Sequence, residues 1–287
     1  MNKVKLTCNW CSDQELYDRF SRCYISKYNL NENVQFVNGV SYDWLVIINH
    51  PRFNVNFPKE KTLGVIMEPS WTEHYQQRHI LERYCNHIFF HKEINNPQYI
   101  YYPGLLPYHV DIEYGENIDF YLNYSPRKTK KCSMVVSYTE NSNDSLTLYK
   151  KRTDFAATIL QSQLDVDIYG NGWNLSGIQD KRLKGHIQNK RNALEDYEFS
   201  IAIENCVETG YFSEKLTDCI LLDCTPIYYG CPNIEGFLHN VHALNNLNDI
   251  TELSRILQTN PLNQDKKLLA TRYNLYKAIT KYINTVL

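Results

Sequence analysis

The sequence predicts an α/β protein of two parallel-sheet domains facing each other across a cleft, with a helix at the carboxyl terminus. Two observations predict it. Short apolar runs of strand length alternate with helix-periodic segments in both halves of the chain, the pattern of consecutive βαβ units. A polar stretch from Tyr108 to Lys131, ending in Ser125-Pro126-Arg127-Lys128, separates the halves and reads as a linker. The 287 residues are enough for two domains of ordinary size. The division expected is 1–125, 126–263 and a terminal helix over 264–287, with substrates held in the cleft between the domains.

The elements follow in order. Val4 to Thr7 is a short strand, and Ser12 to Arg22 is a helix with Ser12 as its cap. Trp44 to Asn49 is a continuous apolar run, as a strand buried on both faces should be. Leu63 to Met67 is another, ending at Glu68-Pro69. Thr72 to Cys85 has helical spacing, His87 to His91 is a third strand, and Tyr99 to Pro107, with Pro103 and Gly104, reads as loop. After the linker, Cys132 to Ser137 opens a new buried strand, and Leu146 to Gln163 is helical. Asp165 to Gly170 is a strand closed by a turn. Phe199 to Ile203 and the Thr225 to Tyr229 region are strands flanking a helix that starts near Ser213. From Gln264 to Val286 a single long helix is expected, with Leu269, Leu275, Tyr276, Ile279, Tyr282, Ile283 and Val286 on one stripe.

Composition removes several function classes. The formal net charge is −2 and no strongly basic stretch occurs, which argues against a nucleic-acid polymer as main partner. The amino terminus lacks the apolar core of a secretory signal, and no run approaches the ~20 apolar residues of a membrane span. A soluble, cytoplasmic protein is the expectation. Nine scattered cysteines fit free thiols in a reducing compartment. Cys8 and Cys11 have redox or zinc-like spacing, but no second pair completes a metal site. A redox protein using this pair would require a low thiol pKa at Cys8. Asp165-Val166-Asp167 has the Asp-x-Asp form of some metal sites, yet lies in an alternating strand with both carboxylates on its solvated side. No metal is expected. Most of the 23 tyrosines read as amphipathic core-edge and surface residues.

The densest chemistry lies in residues 197–234. Glu204, Asn205 and Glu208 follow a buried strand, at the end where open α/β sheets bind ligands. Ser213 caps the next helix and Glu214 suits its first turn. The free N–H groups of that turn, with Lys215 beside them, make a phosphate site, and Tyr211 supplies a ring for a base or ribose. Arg152 stands on a helical stripe with Leu148, Phe155 and Ile159, so an arginine is centred on an apolar face. A donor phosphate would explain it; an inward ion pair with Glu140 or Asp154 would also. Glu68, at the end of an apolar strand and fixed by Pro69, is the leading candidate for a general base. A capping or salt-bridged role is its alternative, and Glu73 and Glu204 are its rivals.

Residues 197–234 closely resemble the donor-binding signature of the α-1,3/α-1,4-fucosyltransferases. In that family a Phe-Glu-Asn-Ser-like stretch precedes Tyr-x-Thr-Glu-Lys and then a Pro-Val/Ile-x-x-Gly strand and turn. The forms here are Ile203-Glu204-Asn205-Cys206, Tyr211-Phe212-Ser213-Glu214-Lys215 and Pro226-Ile227-Tyr228-Tyr229-Gly230, in the same order. The resemblance implies two Rossmann-like domains of GT-B type. It implies an inverting, metal-independent transfer of L-fucose from GDP-fucose to an oligosaccharide acceptor. It makes Glu68 the catalytic base, although the family often has Glu-Ser-Pro where this chain has Glu68-Pro69 directly. Lys215 and Arg152 would hold the diphosphate, Glu214 would accept from ribose or sugar hydroxyls, and Tyr211 would pack near the nucleoside. Glu204 and Asn205 would contact the transferred sugar or buttress the loop. Departures at Ile203, Cys206 and Ser213 leave open another nucleotide-sugar donor, and a non-catalytic glycan- or nucleotide-binding module of the same fold remains a second reading. The missing anchor resembles the soluble bacterial or viral members.

Overall fold

The computed structural model describes residues 1–104, 115–140 and 146–286. The end of the loop expected to reach Pro107, the start of the linker at Tyr108 and part of the polar loop before the helix at Leu146 lie outside the described residues. Two six-stranded sheets organise the chain. The first has the order β2-β1-β3-β4-β5-β6, built from β1 (Asn2–Thr7), β2 (Val34–Phe36), β3 (Trp44–Ile48), β4 (Thr62–Val65), β5 (His87–Phe90) and β6 (Tyr99–Tyr101). The second has the order β12-β11-β10-β7-β8-β9, from β7 (Lys130–Val135), β8 (Val166–Tyr169), β9 (Leu183–Gly185), β10 (Tyr197–Ile203), β11 (Thr225–Tyr229) and β12 (His242–Ala243). Every strand pair is parallel, as the alternating pattern requires. Val46 sits opposite Leu6 and Leu63, and Ile201 opposite Met134 and Ile227, so the apolar runs stack in register at the middle of each sheet.

The helices are α1 (Asp13–Tyr24), α2 (Glu73–Gln76), α3 (His79–Tyr84), α4 (Ile118–Asn123), α5 (Tyr149–Leu160), α6 (Glu214–Leu221), α7 (Thr251–Ile256), α8 (Lys266–Thr271) and α9 (Leu275–Val286). Ser12 caps α1 as expected, its hydroxyl accepting from the Glu15 amide at 3.1 Å. All five residues of β3 are buried because the two faces meet different cores. Val46 and Ile48 join a cluster with Leu6, Phe36, Leu63 and the C-terminal helices. Leu45 and Ile47 join Ile66, Ile88 and Phe90 on the other face. The first cluster continues into Leu216, Ile220 and Tyr228, so α6 and the second sheet share apolar packing with the first. A third cluster, with Met134, Phe155, Ile159 and Ile201, fills the far side of the second sheet.

Three sequence expectations need correction. The terminal helix is broken into α8 and α9 at buried Asn274, whose Oδ1 accepts from the Lys277 amide at 3.2 Å and whose Nδ2 donates to the Tyr24 carbonyl at 2.9 Å. That tertiary anchor starts a new helix within a continuing apolar stripe. Most of the stripe is buried as expected, but Val286 is exposed. Tyr99–Tyr101 is an edge strand paired with β5, in place of a loop. The Thr72 to Cys85 helix is two short ones, broken at Gln77 and Arg78. The C-terminal helix returns to the first sheet: the Tyr276 hydroxyl accepts from the Asn31 amide at 3.0 Å, and the Tyr282 ring stands edge-on to Trp44.

Candidate active site

The carboxyl ends of the two sheets line a common cleft of about 370 Å³. Asn49, Met67 and Glu68 contribute from the first sheet, and Asn205, Glu214 and Lys215 from the second. Glu68 leaves the end of β4 through buried Ile66 and Met67. Asn49, in the left-handed region at φ 57, fixes that exit: its Oδ1 accepts from the Met67 amide at 2.8 Å. Burial raises the Glu68 carboxyl above its usual range, opposed by His74 and Lys215. Nothing ties that carboxylate up in a salt bridge among the described residues, so the alternative structural roles for it are not realised.

On the opposite wall, α6 begins at Ser213, whose hydroxyl accepts from the Lys215 amide at 3.3 Å. Lys215 Nζ lies 3.0 Å from Glu214 Oε1 and 3.8 Å from Glu204 Oε2. Glu204 itself is fully buried and accepts from the Ser213 amide at 2.7 Å and the Ser213 hydroxyl at 2.6 Å. Its two oxygens are engaged with the start of α6, which removes it from direct contact with a ligand and from candidacy as base. Of the two roles expected for Glu204, buttressing is the one the geometry supports. Burial also holds its carboxyl above the ordinary range, with Lys215 opposing. Gly230 makes this packing possible, since a Cβ there would lie 2.4 Å from Glu204 Cγ. Tyr211 lines the cleft but is nearly buried, leaning on the His91 ring at 5.2 Å. Burial, then the Glu204 and Glu68 carboxylates, push its hydroxyl pKa up, so it stays protonated as a hydrogen-bond donor. So buried a ring leaves little face for stacking on a nucleoside.

Arg152 and Lys215 meet in an adjoining crevice of about 190 Å³, together with Lys190 and Glu214. Arg152 Nη1 donates to Asn205 Oδ1 at 2.8 Å, and the Asn205 carbonyl accepts from the Leu148 amide at 2.7 Å. Asn205 therefore aims the guanidinium. The expected rival pairing fails at Asp154, which is engaged by Lys150 at 2.7 Å. Arg152 Nε is buried with no partner among the described residues, and burial lowers the guanidinium pKa despite the nearby Glu204 charge. A buried cation without a carboxylate partner is costly, and an incoming anion relieves that cost. Lys190, which sequence reasoning missed, donates to Asp218 at 2.7 Å and to the Glu214 carbonyl at 3.0 Å. Burial opposes its charge, but Asp218 and Glu214 outweigh burial and hold its pKa above normal.

Glu208 ties the two walls together. Its carboxylate lies 3.0 Å from His91 Nε2, at the end of β5, and accepts from the Ser70 amide at 3.0 Å, two residues beyond Glu68. Gly210, at φ 78, permits the approach, because a Cβ there would meet the His91 carbonyl at 2.3 Å. Burial pushes the Glu208 carboxyl up, but His91 and the Ser70 amide outweigh it and hold the pKa below its usual value. Its contribution is therefore present above the ordinary carboxylate range and is lost as pH falls through the depressed value. Glu208→Ala should cost about 3 kcal/mol by urea unfolding at neutral pH, for two charge-assisted bonds in a buried setting. The gap to wild type should close in acid. A loss below about 0.5 kcal/mol, typical of a surface change, would refute the clamp.

The structure thus brings Glu68, Asn205, Tyr211, Glu214 and Lys215 to one cleft and Arg152 to its extension, with Glu204 behind them. Trp10 and His74 also line the cleft and carried no recognisable sequence signal. The Cys8-x-x-Cys11 motif supports the loop bearing Trp10: both thiols are buried, their sulfurs 3.4 Å apart, and burial pushes Cys11 up to about 12. Asp167 accepts from the Tyr197 hydroxyl at 2.8 Å and pairs with Lys184 at 3.1 Å. Among the described residues no group of three or more His, Cys, Asp or Glu is placed to hold a metal. No helix among them is long and apolar enough to cross a membrane.

Comparison with known proteins places this geometry in context. Residues 125–283 match the model of glycosyltransferase family 10 (fucosyltransferase), C-terminal part. Alpha-(1,3)-fucosyltransferase B of Drosophila melanogaster is 27% identical over 132 residues, 44% of this chain and 29% of that protein. The alpha-(1,3)-fucosyltransferase FucT of Helicobacter pylori is 28% identical over 120 residues, 36% of this chain and 25% of that protein. The match thus spans under a third of either relative's length. A crystal structure of an alpha1,3-fucosyltransferase with GDP-fucose superposes with a TM-score of 0.54 at 18% identity, covering 99% of this chain and 90% of that one. At that identity the likeness is one of fold: two parallel sheets with helices, the GT-B arrangement.

Proposed function

Since the chain belongs to glycosyltransferase family 10, the fucosyltransferases, we propose that it moves L-fucose from GDP-fucose to a hydroxyl of an oligosaccharide, with inversion and without a metal. The observation that carries the reading is that Glu68 and Lys215, from different sheets, line one cleft. In a single displacement the acceptor oxygen attacks the anomeric carbon of fucose as the bond to the β-phosphate oxygen breaks. Glu68 takes the acceptor proton, and the bond's electron pair leaves on GDP. Arg152, Lys215 and the first N–H groups of α6 meet the charge developing on the diphosphate, the role a metal would otherwise fill. Asn205 holds the Arg152 fork in place. Glu214, open to both compartments, is the acceptor for ribose or sugar hydroxyls.

Ile203, Cys206 and Ser213, the departures from the family pattern, are all buried. Their substitution changes packing behind the site, which favours retention of the family's donor over another nucleotide sugar. Nine buried free cysteines agree with work in a reducing, cytoplasmic compartment. The decisive experiment is calorimetry with GDP-fucose, GDP-mannose, UDP-glucose and GDP, each with and without EDTA. Saturable GDP-fucose binding that survives EDTA and weakens about tenfold or more in Lys215→Ala is the expected result. Binding of a different nucleotide sugar alone would replace the donor assignment. Binding of none would leave the non-catalytic module.

A further inference from the structure

A roomy cavity lies outside the donor machinery. It is a cleft of about 850 Å³ beside the carboxyl ends of β1 and β3, and His74 lines both it and the Glu68 cleft. The shared histidine sets this cleft beside the one that holds Glu68. Its carboxylate, guanidinium and imidazole lining is His50, Arg52, Glu73, His74, His79 and Arg83. Two guanidiniums face a single carboxylate, in a chain whose acids outnumber its basic residues, 32 to 30. Neither Arg52 nor Arg83 has a carboxylate partner among the described residues; the Arg83 guanidinium stands 5.5 Å from the centre of the Tyr84 ring.

The second observation is independent of charge. His50 is only 7% exposed, yet among the described residues its Nε2 has no hydrogen-bond partner, and the buried His74 Nδ1 has none either. The two rings stand 5.1 Å apart. Buried polar nitrogens are normally satisfied, and two orphans on the wall of one cleft mark a place where a ligand supplies the missing partners. Uncharged hydroxyls could satisfy the imidazoles but would leave both guanidiniums without an anion. Planar guanidinium forks match carboxylate and sulfate oxygens in geometry and charge.

Building on the transferase reading above, we propose that this cleft is the acceptor subsite and that it selects an acidic glycan, one bearing a carboxylate or sulfate group near the fucosylated hydroxyl. Arg52 and Arg83 grip the anion, and His50 and His74 bond to hydroxyls of the sugar that carries it.

The test uses three oligosaccharides of identical backbone: one uncharged, one carrying a uronic or sialic acid, one carrying a sulfate ester. Binding to the GDP-loaded protein is measured by saturation-transfer NMR and calorimetry, and KM where turnover is seen. An acidic probe should bind about tenfold or more tighter than the uncharged one. The advantage should shrink as salt rises from about 50 mM to about 300 mM. Arg52→Ala with Arg83→Ala, both at exposed positions, should bring the acidic probe down to the uncharged level. Whichever acidic probe leads identifies the anion. Equal binding of all three, or a preference that survives the double substitution, overturns the proposal. GDP-fucose binding is read in the same samples: its absence defeats the transferase reading, whereas donor binding without acidic preference defeats only this inference.

Discussion

Replacing Glu68 by glutamine should lower kcat by about a thousandfold, the middle of the range for loss of a general base, with GDP-fucose affinity kept within about twofold. The substitution preserves size and hydrogen bonding but cannot take up a proton. The expectation rests on placement. Glu68 is held by the end of β4 and the Asn49 clamp, faces Lys215 across the cleft, and is free of any salt bridge among the described residues. Its rivals do not match it: Glu204 is sealed beneath Ser213, and Glu73 is exposed on α2. Burial raises the Glu68 pKa, so the proton-accepting form is lost sooner on acidification than for an ordinary glutamate. The acid limb of kcat/KM should therefore have its midpoint above ~4.3, the unperturbed value, with activity falling as pH falls through it. In Glu68→Gln that limb should vanish from the residual rate. Retained turnover, or an unchanged acid limb in the variant, would remove Glu68 from the chemistry and move the search to His74.

What the sequence reveals and conceals here follows from where each signal is stored. β3, β4 and β10 are legible because sheets covered on both faces demand uninterrupted apolar runs. The Ser213 cap and the residues just past a strand are legible because ligands bind at that end of a parallel sheet. Edge strands of two or three residues, such as β2, β6, β9 and β12, are too short to show a period. The break at Asn274 is invisible because the apolar stripe runs on through it; Tyr24 and Tyr102, far away in sequence, make the asparagine an anchor. Glu204 and Asn205 are adjacent, and periodicity cannot say which of them turns toward Ser213 and which toward the cleft. Lys190 and His74 stand at no strand end or motif, so only the folded chain brings them to the site.

Arg152→Met separates binding from folding more sharply than any other change at this site. The guanidinium is largely desolvated and, among the described residues, has no carboxylate partner and leaves Nε unsatisfied. In the free protein such a group is a burden, and an apolar chain of similar reach in its place is neutral or stabilising in comparable settings. The bond to Asn205 and the nearby Glu204 charge oppose this. The free variant should therefore melt at the wild-type temperature or a few degrees above it. Donor binding should weaken about a hundredfold, since charge-assisted bonds to a diphosphate in a half-buried crevice are lost together. Arg152→Lys should not restore it, because an ammonium cannot hold Asn205 Oδ1 and a phosphate oxygen with one planar fork. Calorimetry and thermal melts on the same samples decide the matter. A melting point that falls by many degrees with donor affinity intact would make Arg152 a structural residue. Stability gained as donor affinity is lost is the signature of a cation kept in the fold for the sake of its ligand.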